Sequence, residues 1–458
     1  MRKLASILVV IVAIGLVTCS KNQNEAGLGS KVFEEGKQKH VVFLKRSFIK
    51  PLVLEPTFYS QNKEQQATFR KAHKEEVKTL ARKYGLELED SQVFVDVMVG
   101  FVAVMDSEKA GEIGKDTKVQ SVGKAVKIQG KPIQQGKPIQ QGKPIQQDLD
   151  NGRDFQEWGL TLKRSGLDSI YTSCAVRKAG GPENGSGRPA LIWIMDTGIA
   201  PDPGGERLNI NTEFAMNFTV SPPSRETDDD NGHGTLVAGV AAAKQILWKG
   251  RQKINMSTSP GAWVVPIKVL DSLGSGDWSF VILGLNYIME QSRENDVINL
   301  SLGEFRMRDK TCTDSIPGLD SALMNAARKH FVVMASGNDG RNAIKSVPGC
   351  VQGDSTSNLF TVGAVTCGNQ CALYSNYGKP IDYVAVGSDV FSTYLKDSTN
   401  RWTYIVASGT SISAGIISGV IHSTGEKPKK GAHLYCLALQ RENANRRERF
   451  RHYRYGRR

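Results

Sequence analysis

The segment Leu191-Ile192-Trp193-Ile194-Met195-Asp196-Thr197-Gly198 is a short apolar run that ends in a carboxylate, a hydroxyl and a glycine. An apolar run without polar alternation predicts a strand that is buried on both faces. Similar runs recur downstream at 263–270, 297–302 and 331–335, and helix-like stretches lie between the runs at 233–247, 279–292 and 317–329. Strands separated by helices predict an α/β fold with a parallel sheet flanked by helices.

Asp196 would then stand at the carboxyl end of a buried strand, where the sites of α/β sheets usually lie. The motif Asn231-Gly232-His233-Gly234-Thr235 leads into an Ala-rich stretch, so His233 is expected in the first turn of a helix. The motif Ser408-Gly409-Thr410-Ser411-Ile412-Ser413 precedes another helical stretch, so Ser411 is expected at a helix N-terminus, whose N–H groups favour negative charge. Taken singly, each motif also fits a structural aspartate, a structural histidine or a helix cap.

Acyl transfer by a serine requires a base within hydrogen-bond reach, an acid that orients the base, and donors for the oxyanion. In the order Asp, His, Ser, the three motifs together resemble the subtilisin family. The resemblance implies that Ser411 is the nucleophile, that His233 is the general base and then the acid, and that Asp196 orients the imidazole. Asn338, within Ala335-Ser336-Gly337-Asn338-Asp339-Gly340, matches the oxyanion asparagine of the family.

The resemblance also implies a substrate cleft with two backbone edges. Ser301-Leu302-Gly303 and Gly274-Ser275-Gly276-Asp277-Trp278 look like the edges between which the family pairs an extended peptide. Trp278 is expected to line the pocket for the fourth residue upstream of the cut, although a Gly-rich turn with one exposed aromatic residue is the plain alternative. Two positions depart from the family pattern: Leu236 replaces a second histidine, and Gly415 replaces a proline.

The N-terminus has the features of an export signal. Met1-Arg2-Lys3 precedes an apolar run to Thr18, which predicts a signal peptide over 1–19. Leu16-Val17-Thr18-Cys19 resembles a bacterial lipobox and predicts lipidation of Cys19, with ordinary signal-peptidase release as the alternative. Either route predicts a protein that is secreted or anchored to the cell envelope by lipid. Residues 20–37 are polar and are expected to form a tether.

Residues 38–128 combine strand-like and helix-like patterns and predict a small α+β unit. The resemblance implies that this unit is the ferredoxin-like inhibitory propeptide of the family, and hence an intramolecular partner of the enzyme. The sequence Gly-Lys-Pro-Ile-Gln-Gln then occurs three times from Gly130 to Gln147. A proline at every sixth residue blocks a helix, so 129–147 is expected to be an extended spacer, with a recognition role as the alternative. The catalytic domain is expected over 148–422.

The formal net charge is +13, and residues 427–458 hold eleven Lys or Arg and two Glu. Because the charge is concentrated there, it does not predict a nucleic-acid partner for the whole protein. So many like charges bury little apolar surface, which predicts a basic, disordered tail over 423–458. The competing explanation is a truncated or frame-shifted ending that replaces the natural one.

The seven cysteines include Cys19, and some of the other six are expected to form disulfides after export. The spacing Cys367-x-x-x-Cys371 could indicate a metal, but no nearby histidine supports one. No cofactor is expected to be required. Structural calcium is compatible with the resemblance, and Asp228 to Asp230 are candidate ligands that a solvated acidic loop explains equally well.

These observations predict a serine endopeptidase that acts on proteins or peptides and is made as a self-processed zymogen. The alternative is a catalytically weak or inactive, protease-derived binding protein. That alternative predicts a damaged triad, whereas Asp196, His233, Ser411 and Asn338 are all present. An α/β-hydrolase esterase is disfavoured, because no Gly-x-Ser-x-Gly motif surrounds Ser411.

Overall fold

A computed structural model describes residues 36–55, 57–128, 160–165, 168–248, 252–305, 312, 316, 318–353, 357–396, 402–437 and 447–453. The predicted signal peptide with Cys19, nearly all of the tether and the repeat linker lie outside these residues. Within the described ranges, no helix combines the length and apolar character needed to cross a membrane.

The N-terminal unit contains five strands and two helices: β1 Gln38–Leu44, α1 Lys63–Arg82, β2 Val93–Phe94, β3 Gly100–Met105, α2 Ser107–Gly114, β4 Val119–Lys124 and β5 Lys127–Ile128. Its antiparallel sheet has the order β2-β3-β1-β4, which is the β-α-β-β-α-β arrangement of ferredoxin-like domains. Helix α1 begins with a capping box, in which Asn62 and Gln65 each accept a hydrogen bond from the other residue's backbone.

The second unit follows. Its helices are α3 Cys174–Lys178, α4 His233–Ala242, α5 Trp278–Gln291, α6 Leu319–Ala326 and α7 Thr410–Thr424. Its strands are β6 Leu160–Ser165, β7 Asp168–Ser173, β8 Ile192–Asp196, β9 Asn209–Ile210, β10 Met216–Asn217, β11 Ile246–Trp248, β12 Gln252–Asn255, β13 Trp263–Lys268, β14 Gly276–Asp277, β15 Val297–Leu300, β16 Glu304–Phe305, β17 Phe331–Ala335, β18 Ser346–Val347, β19 Leu359–Val365, β20 Tyr383–Val386, β21 Val390–Lys396, β22 Trp402–Ala407, β23 Lys430–Leu437 and β24 Arg447–Tyr453.

The main sheet confirms the predicted α/β class. Its order is β10-β13-β8-β15-β17-β19-β20-β24-β23, and every pair from β10 to β24 is parallel. Alternate residues of β8 belong to different buried clusters: Ile192 and Ile194 pack with α4 and α7, whereas Trp193 and Met195 pack with α5 and α6. Helices therefore cover both faces of the sheet, as an unbroken apolar strand requires.

The sheet of the N-terminal unit is also buried on both faces. Along β1, Val42 and Leu44 join the cluster formed with the unit's own helices, whereas Val41 and Phe43 join the cluster of α5 and α6. Because side chains alternate along a strand, the outer face of this sheet is apolar and is covered by the second unit.

Polar groups fix the register of this interface. The Oδ1 atom of Asn286 accepts hydrogen bonds from the backbone N–H groups of Val95 at 2.9 Å and Asp96 at 2.7 Å. The Nδ2 atom of Asn325 donates to the carbonyl oxygen of Val97 at 2.6 Å. Arg70 forms an ion pair with Asp96 at 2.9 Å, and both side chains are buried. The loop 95–97 therefore docks through its backbone onto α5 and α6.

Among the described residues, disulfides join Cys174 to Cys367 and Cys312 to Cys350. Cys367 is therefore bonded to a distant cysteine and is not a thiolate ligand beside Cys371. The first bridge ties α3 to the turn after β19.

The C-terminal segment differs from the predicted disordered tail. Helix α7 continues to Thr424, and β23 and β24 form an antiparallel hairpin whose second strand pairs with β20. The disordered tail was predicted from the small apolar surface that its side chains can bury. A ladder needs only backbone N–H and C=O groups, so a highly charged sequence can still extend an open sheet edge.

Candidate active site

The predicted catalytic residues lie at the carboxyl ends of adjacent parallel strands. Asp196 is the last residue of β8, Ser301 follows β15 directly, and Asn338 follows β17 by three residues. His233 is the first residue of α4, and Ser411 is the second residue of α7. The sheet order β8-β15-β17 brings these ends to one edge of the fold.

Asp196 and His233 are in direct contact. His233 Nδ1 lies 2.7 Å from Asp196 Oδ1, and that oxygen also accepts the backbone N–H of Thr197 at 2.7 Å. Asp196 is completely buried. Its Oδ2 atom has no hydrogen-bond partner among the described residues. The carboxylate therefore directs its charge toward the imidazole and fixes the tautomer that leaves Nε2 available as a base.

The surroundings of His233 favour its protonated form. Burial acts to lower the pKa of His233, but the charge of Asp196, its hydrogen bond and the charge of Asp229 raise it. The net result is a pKa above the usual histidine value.

Asp229, which from the sequence is only a candidate calcium ligand, lies beside His233 and Asp196. Its Oδ1 accepts the Thr197 hydroxyl at 2.8 Å and the backbone N–H groups of Asn231 and Gly232 at 3.1 and 2.8 Å. Its Oδ2 accepts the N–H and the hydroxyl of Thr235 at 2.9 and 2.6 Å. This buried carboxylate therefore ties the residue after Asp196 to both sides of His233. Its position four residues before His233, near a helix N-terminus, was the available signal.

The Ser411 side chain has a different partner from the one that catalysis requires. Its Oγ donates to the carbonyl oxygen of Ser301 at 3.0 Å. Ser301 Oγ in turn lies 3.0 Å from the carbonyl oxygen of Ser411. The Ser411 hydroxyl is thus held against the carboxyl end of β15 by a backbone carbonyl.

Asn338 is oriented by the residue that precedes Ser411. Its Oδ1 accepts both the backbone N–H and the hydroxyl of Thr410, each at 2.9 Å, so the amide nitrogen points away from Thr410. A methyl group placed on Gly409 would lie 3.5 Å from Asn338 Nδ2 and 3.9 Å from the backbone N of Ser411. The amide nitrogen of Asn338 and the backbone nitrogen of Ser411 therefore lie on the same side of Gly409. An oxyanion hole would need two N–H donors near one point in this way.

The predicted substrate edge at Gly276 is occupied by the N-terminal unit. Strand β5 pairs antiparallel with β14, with Ile128 opposite Gly276 and Lys127 opposite Asp277. The backbone N–H of Trp278 donates to the carbonyl oxygen of Val126 at 3.0 Å. Trp278 and Ile128 are each 1% exposed and belong to the same buried cluster. The alternative of an exposed aromatic residue on a turn therefore does not fit Trp278.

Of the second predicted edge, residues 301–303, Ser301 contacts Ser411, whereas Leu302 and Gly303 pack against other parts of the fold. Ser301 contacts Ser411 as described, and the buried side chain of Leu302 packs in the cluster of α5 and α6. Gly303 lies against the backbone of Val347, whose carbonyl oxygen would be 2.4 Å from an added methyl group.

The profile of the subtilase family, peptidase family S8, matches residues 187–434. The chain belongs to the subtilase family. It is 32% identical over 243 residues to the cell wall-associated protease of Bacillus subtilis (strain 168), with 52% of this chain and 24% of that protein covered. It is also 32% identical over 237 residues to thermitase of Thermoactinomyces vulgaris, with 51% and 74% covered.

A third relative is the extracellular serine proteinase of Thermus sp. (strain Rt41A), which is 31% identical over 266 residues, with 57% of this chain and 55% of that protein covered. Among solved structures, a cold adapted subtilisin-like serine proteinase aligns at 26% identity and a TM-score of 0.39, covering 52% of this chain and 75% of the other. The chain spans 24% to 58% of the length of several relatives it matches.

The two departures from the subtilase pattern have structural explanations. A methyl group on Gly415 would lie 2.7 Å from Val240 Cγ2 and 3.0 Å from the carbonyl oxygen of Val237, so glycine allows α7 to approach α4 closely. Leu236 is fully buried in the core of the same helix pair. Glycine at position 415, where the family pattern has proline, therefore allows the tight packing of α7 on α4.

The acidic loop 228–230 has protein partners for two of its carboxylates. Asp229 is saturated by the five donors given above, and Asp230 forms an ion pair with Lys268 at 2.8 Å. In the part of the chain that the structure describes, no three His, Cys, Asp or Glu side chains group as metal ligands. Structural calcium stays a prediction.

Proposed function

We propose that this subtilase is a serine endopeptidase in which Ser411 attacks the peptide carbonyl, His233 transfers the proton and Asp196 orients His233. The observation that carries the proposal is the 2.7 Å contact between His233 Nδ1 and the buried Asp196 carboxylate. Asn338 supports the proposal, because its Oδ1 is bound by Thr410, the residue before Ser411. Extended protein or peptide chains are the proposed substrates, because the cleft edge pairs a peptide through backbone groups.

The reaction begins when the Ser411 hydroxyl turns from the Ser301 carbonyl toward His233 Nε2. As Oγ bonds to the substrate carbonyl carbon, His233 accepts the hydroxyl proton and the buried Asp196 carboxylate stabilises the imidazolium. The carbonyl oxygen becomes negatively charged and receives hydrogen bonds from Asn338 Nδ2 and the Ser411 N–H. His233 then protonates the leaving amine, and water hydrolyses the acyl-enzyme by the same steps.

The test is hydrolysis of a fluorescently labelled, unfolded protein by the purified chain and by Ser411→Ala. We expect endoproteolytic fragments from the parent chain and none from the variant. Fragments of the same size and amount from both proteins would reject the assignment.

A second candidate function is a catalytically weak or inactive binding protein of subtilase origin. The contact between Ser411 Oγ and the Ser301 carbonyl favours it, since that serine is not hydrogen-bonded to its base. This candidate predicts that Ser411→Ala binds unfolded protein as tightly as the parent chain and that neither protein cleaves it. The same assay therefore separates the two functions.

We further propose that residues 38–128 act as an inhibitory propeptide that the enzyme removes itself. The shared apolar cluster and the pairing of β5 with the cleft edge support this role. The cut is proposed between Gly123 and Asp148, a range that includes the paired residues Lys127 and Ile128. The Ser411→Ala precursor should stay full length in a protease-free host, whereas the parent chain should be trimmed. Normal trimming of the variant in that host would refute self-processing.

Export with lipidation of Cys19 is the proposed route to the cell surface. The N-terminal signal pattern and the extracellular relative from Thermus support export, and Leu16-Val17-Thr18-Cys19 supports lipidation. Metabolic labelling with a palmitate analogue should tag the protein, and Cys19→Ser should abolish the tag. An untagged product that begins at another residue would contradict this proposal.

A further inference from the structure

The isoleucine that docks on the cleft edge has three copies further along the chain. Ile128 is the last docked residue and is followed by Gln129, and the linker repeats this pair as Ile133-Gln134, Ile139-Gln140 and Ile145-Gln146. Each copy is preceded by Lys-Pro, in place of Val126-Lys127. The linker lies outside the described residues. Its sequence can still be matched to the pattern of backbone and side-chain groups that the described edge accepts.

The antiparallel register defines what the edge requires from its occupant. The pair of Val126 and Trp278 is hydrogen-bonded, because the Trp278 N–H donates to the Val126 carbonyl. Hydrogen-bonded pairs alternate with non-bonded pairs in an antiparallel ladder. Lys127 opposite Asp277 is therefore a non-bonded pair, and Ile128 opposite Gly276 is bonded again. The edge uses the N–H of Ile128 but not that of Lys127.

The prolines of the repeat fall where the edge needs no donor. When Ile133 takes the place of Ile128, Pro132 takes the place of Lys127, and the same holds for the other two copies. A proline at that position removes no ladder hydrogen bond and holds the residue before it in an extended conformation. The lysine before each proline needs only its carbonyl oxygen to accept from the Trp278 N–H.

We propose that the three Lys-Pro-Ile-Gln-Gln copies are additional ligands for the edge Gly276–Trp278, each able to replace residues 126–128. The isoleucine would enter the buried cluster that contains Trp278 and now holds Ile128. Because the copies begin only a few residues downstream, their tethering gives them an effective concentration on the order of millimolar. Competition with substrate is the consequence if the proposed peptidase function holds, but the binding itself does not depend on catalysis.

Hydrogen exchange of the full chain carrying Ser411→Ala tests the proposal, with peptides covering 274–280 as the readout. Trp278 is the first residue of α5, so its N–H has no partner within the helix and needs the docked strand for protection. Three variants are compared: Ile128→Asp, the triple variant Ile133→Asp, Ile139→Asp and Ile145→Asp, and the combination of all four substitutions. Peptides from β8 and β17 report whether the core stays folded. If Ile128→Asp lowers core protection, Ile128→Ala replaces it.

We expect the edge to stay protected in Ile128→Asp and in the triple variant, and to exchange about 10-fold faster or more when all four isoleucines are changed. Equal loss in Ile128→Asp and in the fourfold variant would show that the copies do not substitute, and would overturn the proposal. Full protection of the edge in the fourfold variant would also overturn the proposal, because the segment docked there would not then depend on these isoleucines.

Two added peptides provide a matched control in the fourfold variant. The peptide Lys-Pro-Ile-Gln-Gln-Gly should restore protection at millimolar concentration. The peptide Lys-Ile-Pro-Gln-Gln-Gly should not restore it, because its proline stands at the position of Ile128, where the ladder uses the backbone N–H. Equal effects of the two peptides, or no effect of either, would reject the register argument. Since every protein in this experiment lacks the Ser411 hydroxyl, its outcome is independent of the test for peptide hydrolysis.

Discussion

His233 and Ser411 both lie in the first turn of a buried helix, yet their side chains differ in the partners that hold them. His233 contacts Asp196 at 2.7 Å, and Asp229 holds the loop and first turn around it with five hydrogen bonds. Ser411 Oγ instead donates to the Ser301 carbonyl. The proposed base is therefore already paired with its carboxylate while residues 126–128 occupy the predicted cleft edge, whereas the proposed nucleophile is bound to a backbone carbonyl.

The largest expected effect comes from removing either half of this pair. His233→Ala and Ser411→Ala should each lower kcat by about 10⁶, the size of the effect measured in subtilisin, because triad members act as a unit. The double variant should be no slower than either single variant. Multiplicative losses in the double variant, measured on a chromogenic peptide, would mean that the two side chains act separately.

A smaller loss is expected at the oxyanion side. Asn338→Ala should lower kcat by about 10² to 10³ with little change in KM, a range measured for the oxyanion asparagine of a subtilisin. Asn338→Asp is the matched variant, since it keeps an oxygen for the two Thr410 donors but loses the N–H donor. It should lose at least as much activity. Near-normal kcat in Asn338→Asp would show that the residue serves only to position Thr410.

The smallest effect should appear at the support of His233. Asp229→Asn removes a charge that raises the pKa of His233 and disturbs the bonds to Thr235, so kcat should fall by about 10- to 100-fold. The imidazole must be neutral to act as a base. Activity is therefore lost as the pH falls through the His233 pKa, and lowering that pKa should move the acid limb to lower pH.

The control for this variant is Asp228→Asn, which removes a neighbouring but exposed charge. Its pH profile should match that of the parent chain. An unmoved acid limb in Asp229→Asn, or equal shifts in both variants, would indicate that Asp229 has a structural role alone.

Much of the scaffold follows from the sequence because local patterns determine it. The strand at 331–335 was predicted with its observed bounds, and the unbroken apolar run before Asp196 predicted a strand covered on both faces. The predicted helix from 233 ends earlier than expected, at Ala242. Chain order and motif spacing selected Asp196, His233 and Ser411, and the structure places the first two in contact. The catalytic roles of the three residues stay a prediction.

The features that the sequence did not predict depend on contacts between distant segments. Asp229 looks like one of three acidic residues in a loop, and only the fold directs its carboxylate toward Thr197 and Thr235. The orientation of the Ser411 hydroxyl depends on a carbonyl 110 residues away. The hairpin of β23 and β24 depends on the open edge of β20, which composition alone does not reveal.

The central claim is that Ser411 is a nucleophile activated by His233, and labelling with a fluorophosphonate probe tests it most directly. The purified, trimmed protein is incubated with the probe and the modified peptide is located by mass spectrometry. We predict a single adduct on Ser411 that disappears in His233→Ala, a variant that still carries the serine hydroxyl. An unlabelled trimmed protein, an adduct on another serine, or labelling of equal rate without His233 would contradict the account.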